Sequence, residues 1–251
     1  MQGELWKEFF GTDYLRFSEA ILTPDRTALE VGGIMRLLNL PKGARILDLG
    51  CGQGRIAVPL AKQGYQIVAY DGSAQLLDEA KRRAEMAGVQ SITFQLGDMR
   101  DLPYENEFDA VINIGTAFGY VQDQEDDLQI LKKVYRALKA GGAFLLENEN
   151  RELKLQNQMG ETVHDMNGHV IRSERTFDLQ TGRWREMMRW MQGHEEKESI
   201  LDIRLYTATE MIHMLNEANL ALSRVMGGFD ETPLTVSSPR LLILSHKRSE
   251  A

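Results

Sequence analysis

The segment "ILDLGCGQGR", residues 46–55, places three glycines directly behind a short apolar run. Glycine lets the backbone approach a ligand closely and adopt φ angles that other residues avoid. An apolar run that ends in a glycine-rich turn and leads into a helix is typical of a nucleotide site. The segment therefore predicts such a site at the carboxyl end of a buried strand.

Five short β-rich runs alternate with helical patterns in the first 150 residues, at 44–49, 66–71, 91–96, 108–114 and 142–148. Between them, one helical pattern opens on Ser73 as N-cap and closes on Gly88. Another, at 123–142, begins with acids and ends with Lys and Gly, which suits the helix dipole. This alternation predicts right-handed crossovers and an α/β, doubly wound, Rossmann-like sheet.

The pattern changes after residue 150. Residues 161–206 read as strands with turns at "MNGH", "QTG" and "QGH", and "RWREMMRWMQ" alternates with a period of two, which is typical of an antiparallel sheet. Thr207 and Glu210 then form a capping-box pattern that opens a helix. Two strands near 220–227 and 239–246 follow it. Upstream, Thr23 and Pro24 predict another helix start, and Trp6 begins a stripe of aromatic residues.

These patterns divide the chain into four parts. We expect an N-terminal helical lid at 1–40, a cofactor-binding Rossmann-like core at 41–160, and an antiparallel β insertion at 161–206. The insertion would serve as a substrate lid or a dimer contact. A C-terminal helix and the closing strands of the core take up 207–251.

Composition narrows the functional classes. The 251 residues carry a formal net charge of −8, which disfavours a partner that is bound through its phosphate backbone. The single cysteine is consistent with a reducing compartment. The sequence shows neither a secretory signal nor an apolar run long enough to span a membrane. We expect a soluble cytoplasmic protein, a monomer or homodimer, with no DNA or membrane partner.

The spacing of the glycines separates two classes of nucleotide ligand. Dinucleotide enzymes need a small third residue in G-x-G-x-x-G/A, and here that position is Arg55. Asp48 precedes the first glycine, where a carboxylate suits the ammonium end of an amino-acid moiety. Asp71 ends the second strand and can accept hydrogen bonds from ribose hydroxyls, and Asp98 follows the third strand and can accept one from an adenine amino group. An NAD-dependent oxidoreductase stays the disfavoured rival.

Taken together, "ILDLGCGQGR", "VAYDGS", "GDM" and "FDAVINIGTAFGYV" resemble the motifs of class I S-adenosylmethionine-dependent methyltransferases of the bacterial small-molecule type. The resemblance covers roughly residues 40–150. It implies S-adenosylmethionine as cofactor and a seven-stranded sheet whose last strand is antiparallel. It also implies the cofactor-binding residues, which are Tyr14, Arg26, Asp48, Gly50, Cys51, Gly52, Gly54, Asp71, Gly72, Asp98, Met99 and Ile114. Gly72 departs from the usual pattern, in which an apolar residue follows the acid.

The sequence says less about the methyl acceptor than about the methyl donor. The Asn/Asp-Pro-Pro-aromatic signature of DNA amino-methylation is absent after the fourth strand, and the only cysteine, Cys51, lies in the cofactor loop rather than where a pyrimidine C5 nucleophile would be needed. The insertion carries seven basic and nine acidic residues, so it is no basic platform. We expect an O or N atom of a small molecule. An RNA- or protein-directed methyltransferase, or a protein that binds the cofactor without transferring its methyl group, are the alternatives.

Side chains for the acceptor site come from three segments. Phe118 and Tyr120 lie in "TAFGY" after the fourth strand, and Arg204 and Tyr206 share one face of "ILDIRLY". His164 and His169 bracket a turn of the insertion and are candidate bases, as is Tyr206. A metal site is not expected, because two histidines and one acid across a hairpin fall short of a ligand set. His213 lies on the apolar pattern of a late helix and is expected in the core.

Overall fold

The computed structural model describes residues 4–166 and 168–248. These residues form eleven strands, namely β1 (Arg45–Leu49), β2 (Gln66–Asp71), β3 (Ile92–Leu96), β4 (Phe108–Asn113), β5 (Leu138–Glu149), β6 (Gly160–Met166), β7 (His169–Asp178), β8 (Arg183–Gln192), β9 (Glu195–Arg204), β10 (Leu220–Met226) and β11 (Arg240–Lys247). They also form eight α-helices, namely α1 (Trp6–Phe9), α2 (Thr12–Ile21), α3 (Pro24–Leu38), α4 (Ala57–Lys62), α5 (Ala74–Met86), α6 (Gln124–Ala137), α7 (Arg151–Asn157) and α8 (Ala208–Glu217).

Seven strands form the central sheet in the order β10-β11-β5-β4-β1-β2-β3. The strands β1 to β5 pair in parallel, whereas β11 runs antiparallel to both β5 and β10. The expected doubly wound sheet with an antiparallel last strand is confirmed. Because β1 lies between β4 and β2, the glycine turn that follows it opens at the point where the strand order reverses, which is where α/β sheets bind ligands.

Both faces of this sheet are buried, as parallel sheets with helices on each side require. Along β1, Ile46 packs into one hydrophobic cluster and Leu47 into the other, and both are fully buried. The alternation of side chains along a strand sends neighbours to opposite faces. The rigid double core fixes the carboxyl ends of β1, β2 and β4 relative to one another.

Local signals start the helices where the sequence predicts. The side chain of Thr23 accepts a hydrogen bond from the backbone of Arg26 at the start of α3, and Ser73 accepts one from Leu76 at the start of α5. Thr207 and Glu210 form a complete capping box at α8. Each cap satisfies backbone N–H groups that the first helical turn leaves without partners.

The second sheet is a meander, β6-β7-β8-β9, with every pair antiparallel. The predicted turns "QTG" and "QGH" connect its later strands, whereas "MNGH" includes Asn167, which lies outside the described residues. Along β8, the side chains of Trp184, Glu186 and Trp190 are buried. The period-two alternation therefore identifies the packed face of this sheet.

Three local features differ from expectation. Helix α6 ends at Ala137 rather than near the glycines, because Leu138 already pairs with Phe108 as the first residue of β5. Helix α7 went unpredicted; it starts where the side chain of Asn150 accepts a hydrogen bond from the backbone of Glu152. The expectation that His213 is buried is wrong, since its side chain is 76% exposed and lies 3.6 Å from Glu217.

Arg204, at the end of β9, joins the second sheet to the core. Its guanidinium donates to the carbonyl oxygens of Gln122 (3.0 Å) and Thr181 (3.1 Å), and lies 3.5 Å from the buried carboxylate of Asp127. Its backbone N–H donates to the carbonyl of Gly119 at 2.8 Å. These bonds hold the antiparallel sheet beside the loop that follows β4.

Arg204→Ala should lower the free energy of unfolding by about 2–3 kcal/mol, because it removes one cationic neighbour of the buried Asp127 and the hydrogen bonds to Thr181 and Gln122. Denaturant unfolding followed by circular dichroism measures the change. Arg185→Ala is the matched control on the same sheet, because the Arg185 side chain is 45% exposed and lies 3.9 Å from its acidic partner. Equal stability losses in the two variants would contradict this role for Arg204.

Candidate active site

The glycine turn after β1 forms the floor of a cavity at the carboxyl end of the central sheet. Gly50 has φ +78°, and a Cβ there would lie 2.6 Å from the Cβ of Ala117 and 2.7 Å from the Cε of Met99. Only glycine fits both the backbone angle and the space. The turn therefore brings main chain, rather than side chains, to the surface of the cavity.

Asp71 at the end of β2 holds this turn in place. Its carboxylate accepts hydrogen bonds from the backbone N–H groups of Gly52 (2.7 Å) and Ser73 (2.8 Å). Burial raises the pKa of the Asp71 carboxyl, while these backbone bonds oppose the rise. The residue stands at the cavity wall, where an acidic oxygen can accept hydrogen bonds from a pair of hydroxyl groups.

Asp48 presents a second carboxylate, deeper in the same cavity. Only 2% of the residue is exposed, and its Oδ2 atom is buried with no hydrogen-bond partner among the described residues. Burial raises its pKa to about 7, against the opposing charge of Arg55. A buried acid with a free oxygen is costly unless a cationic or donor group meets it, so this position suits an ammonium ligand.

Asp98 and Met99 follow β3 at the other end of the cavity. The carboxylate of Asp98 accepts hydrogen bonds from Arg100, including one of 2.6 Å from Nη2. Burial raises the pKa of Asp98, but the hydrogen bonds and charge of Arg100 outweigh burial and hold the pKa below its usual value. Asp98 is therefore ionised and is already partnered by a cation on one side.

The cavity brings together most of the predicted cofactor residues. Its lining includes Tyr14, Asp48, Gly50, Cys51, Gly52, Asp71, Gly72, Asp98, Met99 and Ile114. Gly54 lies beneath the turn instead, where a Cβ would lie 3.0 Å from that of Ala80. Arg26 lines a neighbouring cavity, and its guanidinium donates to Glu30 at 2.6 Å.

Among the lining residues that the sequence did not predict are Arg55 and Trp6. Arg55, which sequence reasoning used only as an argument against a dinucleotide, has a side chain that is 9% exposed and pairs with Glu30 at 2.5 Å. Trp6 reaches the cavity from α1. The signal for Arg55 was present, since a charged residue replaces a small one inside a glycine turn. For Trp6, the sequence indicated only that it is the first residue of a stripe of aromatic residues.

A second cavity adjoins the first, between α2 and the antiparallel sheet. Its walls are largely aromatic and aliphatic, with charged groups set among them. The residues that line both cavities are Phe10, Tyr14, Leu22, Gly115, Thr116 and Tyr120. Walls in common place the two cavities side by side at the carboxyl end of β4.

A buried ion pair shapes the wall between them. Glu147 is fully buried, pairs with Arg240, and accepts a hydrogen bond from the backbone of Gly115. Arg240 also donates to the hydroxyl of Thr116 at 2.7 Å. Thr116 has φ +59°, which is an unfavourable angle for a β-branched residue. The ion pair therefore stabilises a strained backbone turn at the boundary of the two cavities.

The tyrosines at this boundary keep their protons at neutral pH. Burial raises the pKa of Tyr14, although Arg55 opposes the rise. Burial also raises the pKa of Tyr120 well above its usual value. Both hydroxyls therefore act as hydrogen-bond donors or acceptors rather than as bases. Phe118, the third aromatic group of the "TAFGY" segment, lines the first cavity and packs into the core at 2% exposure.

The other four candidate side chains are not among the residues that line either cavity, and their roles stay predictions. The hydroxyl of Tyr206 donates to Asp127 at 2.7 Å within the core, and the guanidinium of Arg204 lies beside it. His164 is exposed and lies 3.4 Å from Arg175, and His169 contacts the ring of Phe17 at 5.9 Å. Period-two patterning located the face of each strand but not what covers that face.

Among residues 4–166 and 168–248, no group of three or more His, Cys, Asp or Glu side chains is arranged to hold a metal ion. Within the same residues, no helix combines the length and apolar character needed to cross a membrane.

Comparison with known proteins identifies the domain. Residues 46–142 match a family described as "Methyltransferase domain". The putative methyltransferase YqeM of Bacillus subtilis is 26% identical over 215 residues, covering 83% of this chain and 86% of that protein. The match runs well beyond the glycine turn and includes most of both chains.

Solved structures share the fold. An S-adenosylmethionine-dependent methyltransferase from Clostridium acetobutylicum superposes with a TM-score of 0.82 at 19% identity, covering 95% of this chain and all of that one. CalS10 from Micromonospora echinaspora, an amino pentose methyltransferase with S-adenosylmethionine bound, gives a TM-score of 0.65 at 22% identity, with 89% and 90% covered. The match over residues 46–142 confirms the predicted methyltransferase domain, and the solved structures confirm the predicted fold.

The lining residues fit S-adenosylmethionine. The unpartnered oxygen of Asp48 suits its ammonium group, and at Gly52 the nearest atom to a Cβ would be Leu76 Cδ1 at 3.9 Å, which leaves space for a ligand. Asp71, held by two backbone bonds, suits the ribose hydroxyls. Arg55, which is paired with Glu30, adds a buried cation to the lining of the cavity that contains Asp48.

The affinity for S-adenosylhomocysteine should fall as the pH drops from 8 to 6. An ammonium group beside Asp48 favours its ionised form, so binding lowers the pKa of Asp48 from about 7 and releases a proton. Protons therefore compete with the ligand below pH 7, by up to about tenfold per pH unit. Calorimetric titration at the two pH values measures the change.

Asp48→Asn is the control for this titration. We expect it to weaken binding by about 10- to 100-fold, since it removes a charge-assisted hydrogen bond, and to leave affinity nearly independent of pH over this range. A wild-type protein whose affinity is the same at pH 6 and pH 8 would contradict the assignment of the ammonium group to Asp48.

Proposed function

We propose that this chain, whose residues 46–142 match a methyltransferase domain, is a class I S-adenosylmethionine-dependent methyltransferase that methylates an oxygen or nitrogen atom of a small molecule. The observation that carries the proposal is the common wall of the two cavities. Tyr14, Thr116 and Tyr120 line both, so a molecule in the second cavity lies next to a cofactor in the first. We assign the second cavity to the acceptor and call it the acceptor cavity.

The composition of the acceptor cavity supports a small acceptor. Its apolar surface comes from aromatic residues of α2, such as Phe17, and from Met188 and Trp190 of β8. Pockets for small ligands are commonly apolar with a few polar groups that fix orientation. An acceptor with both a ring or alkyl portion and polar substituents matches these walls.

The charged groups around the acceptor cavity are mostly neutralised by one another. Arg175 pairs with Glu186 at 2.9 Å, Lys154 pairs with Glu149, and Arg240 pairs with Glu147. Cations that are already paired in this way are poorly placed to hold a nucleic-acid backbone, which needs clustered free lysines and arginines. This pairing favours a small molecule over an RNA acceptor.

When bound, S-adenosylmethionine supplies an activated methyl group. The contribution of the protein is then to position the acceptor, and effective molarity can account for roughly 7–11 kcal/mol of the barrier. We assign orientation of the acceptor atom to the protonated hydroxyls of Tyr14 and Tyr120. An amine that arrives as its free base needs no proton removed before attack, which makes nitrogen the simpler acceptor. CalS10, which shares this fold, is an amino pentose methyltransferase, and that agrees with this choice.

The test uses purified full-length protein with S-adenosylmethionine that carries an isotopic label on its methyl group. Pools of amino sugars, amino acids and phenols are compared with total tRNA and with denatured protein. We expect label in a small molecule, with one S-adenosylhomocysteine released per label. Label only in tRNA or protein would overturn the small-molecule proposal. Binding of S-adenosylmethionine without any methyl transfer would overturn the proposed transferase activity.

Ser199→Phe should raise the acceptor KM at least about tenfold, since Ser199 lines the acceptor cavity from β9 and a ring there fills the space that the acceptor needs. The dissociation constant for S-adenosylhomocysteine should stay unchanged. Glu198→Phe is the matched control, because Glu198 lies on the exposed face of the same strand. Loss of cofactor affinity in Ser199→Phe, or an equal KM rise in the control, would contradict the assignment of this cavity.

A further inference from the structure

The indole of Trp6 packs directly against the backbone of Gly72. A Cβ added to Gly72 would lie 2.7 Å from both Cη2 and Cζ3 of the Trp6 indole, which is closer than side-chain carbons approach. Gly72 does not have the positive φ angle that favours glycine. Glycine is needed at this position because a side chain would not fit, and not because of the backbone conformation. The indole of Trp6 therefore occupies the volume that a side chain at position 72 would fill.

This contact forms part of the cofactor cavity. Trp6 and Gly72 both line it, beside Asp71 on one side and Gly97 and Asp98 on the other. These neighbours belong to the part of the cavity that faces the ends of β2 and β3. The indole Nε1 atom is buried there and has no hydrogen-bond partner among the described residues. Trp184 and Trp190 also have buried Nε1 atoms of this kind, so it is the position of Trp6 in the cavity lining that points to contact with a ligand.

Helix α1, which carries Trp6, is tied to the rim of the cavity at both ends. The carboxylate of Glu4 lies 2.7 Å from Nη2 of Arg100, whose other partner is Asp98 at 2.6 Å. At the far end, the hydroxyl of Ser73 donates to the backbone carbonyl of Phe10 at 2.7 Å. These bonds fix the indole against β2 and β3 instead of leaving it on a free terminus.

We propose that Trp6 is a cofactor-binding residue whose indole stacks on the purine of S-adenosylmethionine, with Gly72 kept small to admit the indole. This proposal depends on the proposed function only for the identity of the cofactor. The arrangement makes the adenine site depend on the N-terminal segment. A single aromatic residue from outside the sheet thereby replaces a side chain on the β2 turn.

Calorimetric titration with S-adenosylhomocysteine tests the proposal in Trp6→Ala, Gly72→Leu and the double variant. Trp6→Ala should weaken binding roughly 10- to 100-fold, the range expected for loss of one base–aromatic stack. Gly72→Leu should weaken binding as well, because leucine displaces the indole. The double variant should bind more tightly than either single one, since leucine then fills the vacated space. Glu8→Ala, exposed on the same helix, is the control and should bind as wild type.

Tryptophan fluorescence gives a second readout, which should change only if the ligand contacts the indole of Trp6. 5′-Methylthioadenosine, which carries only the nucleoside half, should quench wild-type emission and Trp190→Phe emission, but not that of Trp6→Phe. The Phe variant keeps a ring at position 6 and should retain most of the affinity. This pair of variants separates contact with the purine from general loosening of α1.

Three results would overturn the proposal. They are wild-type affinity in Trp6→Ala, tighter binding in Trp6→Ala because the indole competes with the cofactor, or a double variant no better than the weaker single one. All three presuppose that wild type binds S-adenosylhomocysteine. Wild-type binding with no methylation of any small molecule would instead refute the proposed function and leave the role of Trp6 standing.

Discussion

The whole site depends on one carboxylate that holds two backbone N–H groups. Asp71 ends β2, and its oxygens bind Gly52 in the turn after β1 and Ser73 at the start of α5. A charged acceptor with two amide donors is among the stronger hydrogen-bonding arrangements in a protein. It fixes the glycine turn against the neighbouring strand, and the cavity exists because that turn is held open rather than collapsed onto the sheet.

The loop after β4 is held by charged side chains in addition to backbone hydrogen bonds. In the buried pair, Glu147 accepts a hydrogen bond from Gly115 and Arg240 donates one to the strained Thr116. Arg204 joins β9 to the loop that ends near Asp127. Buried ion pairs add little net stability compared with apolar packing, but they tolerate few alternative geometries. Such pairs suit the boundary between the two cavities, where orientation matters more than stability.

The features that the sequence predicted correctly rest on short-range physics. Caps at Thr23, Ser73 and Thr207 involve atoms three residues apart, and strand alternation is a property of the strand itself. The errors concern what meets a side chain from elsewhere in the chain. Tyr206 lies on the expected face of its segment, but that face meets Asp127 in the core, and the face of α8 that carries His213 meets solvent. No local pattern encodes the partner of a face.

The same reasoning explains why the donor site is readable and the acceptor site is not. The donor cavity is built from strand ends of one sheet, so glycines and acids at fixed intervals place its groups together. The acceptor cavity is assembled from α2, the loop after β4 and the antiparallel sheet, which are far apart in sequence. Its charges pair with each other across those segments, as Arg175 does with Glu186. Its chemistry is therefore set by tertiary contacts, and Trp6 beside Gly72 shows that even the donor cavity takes one wall from this less predictable source.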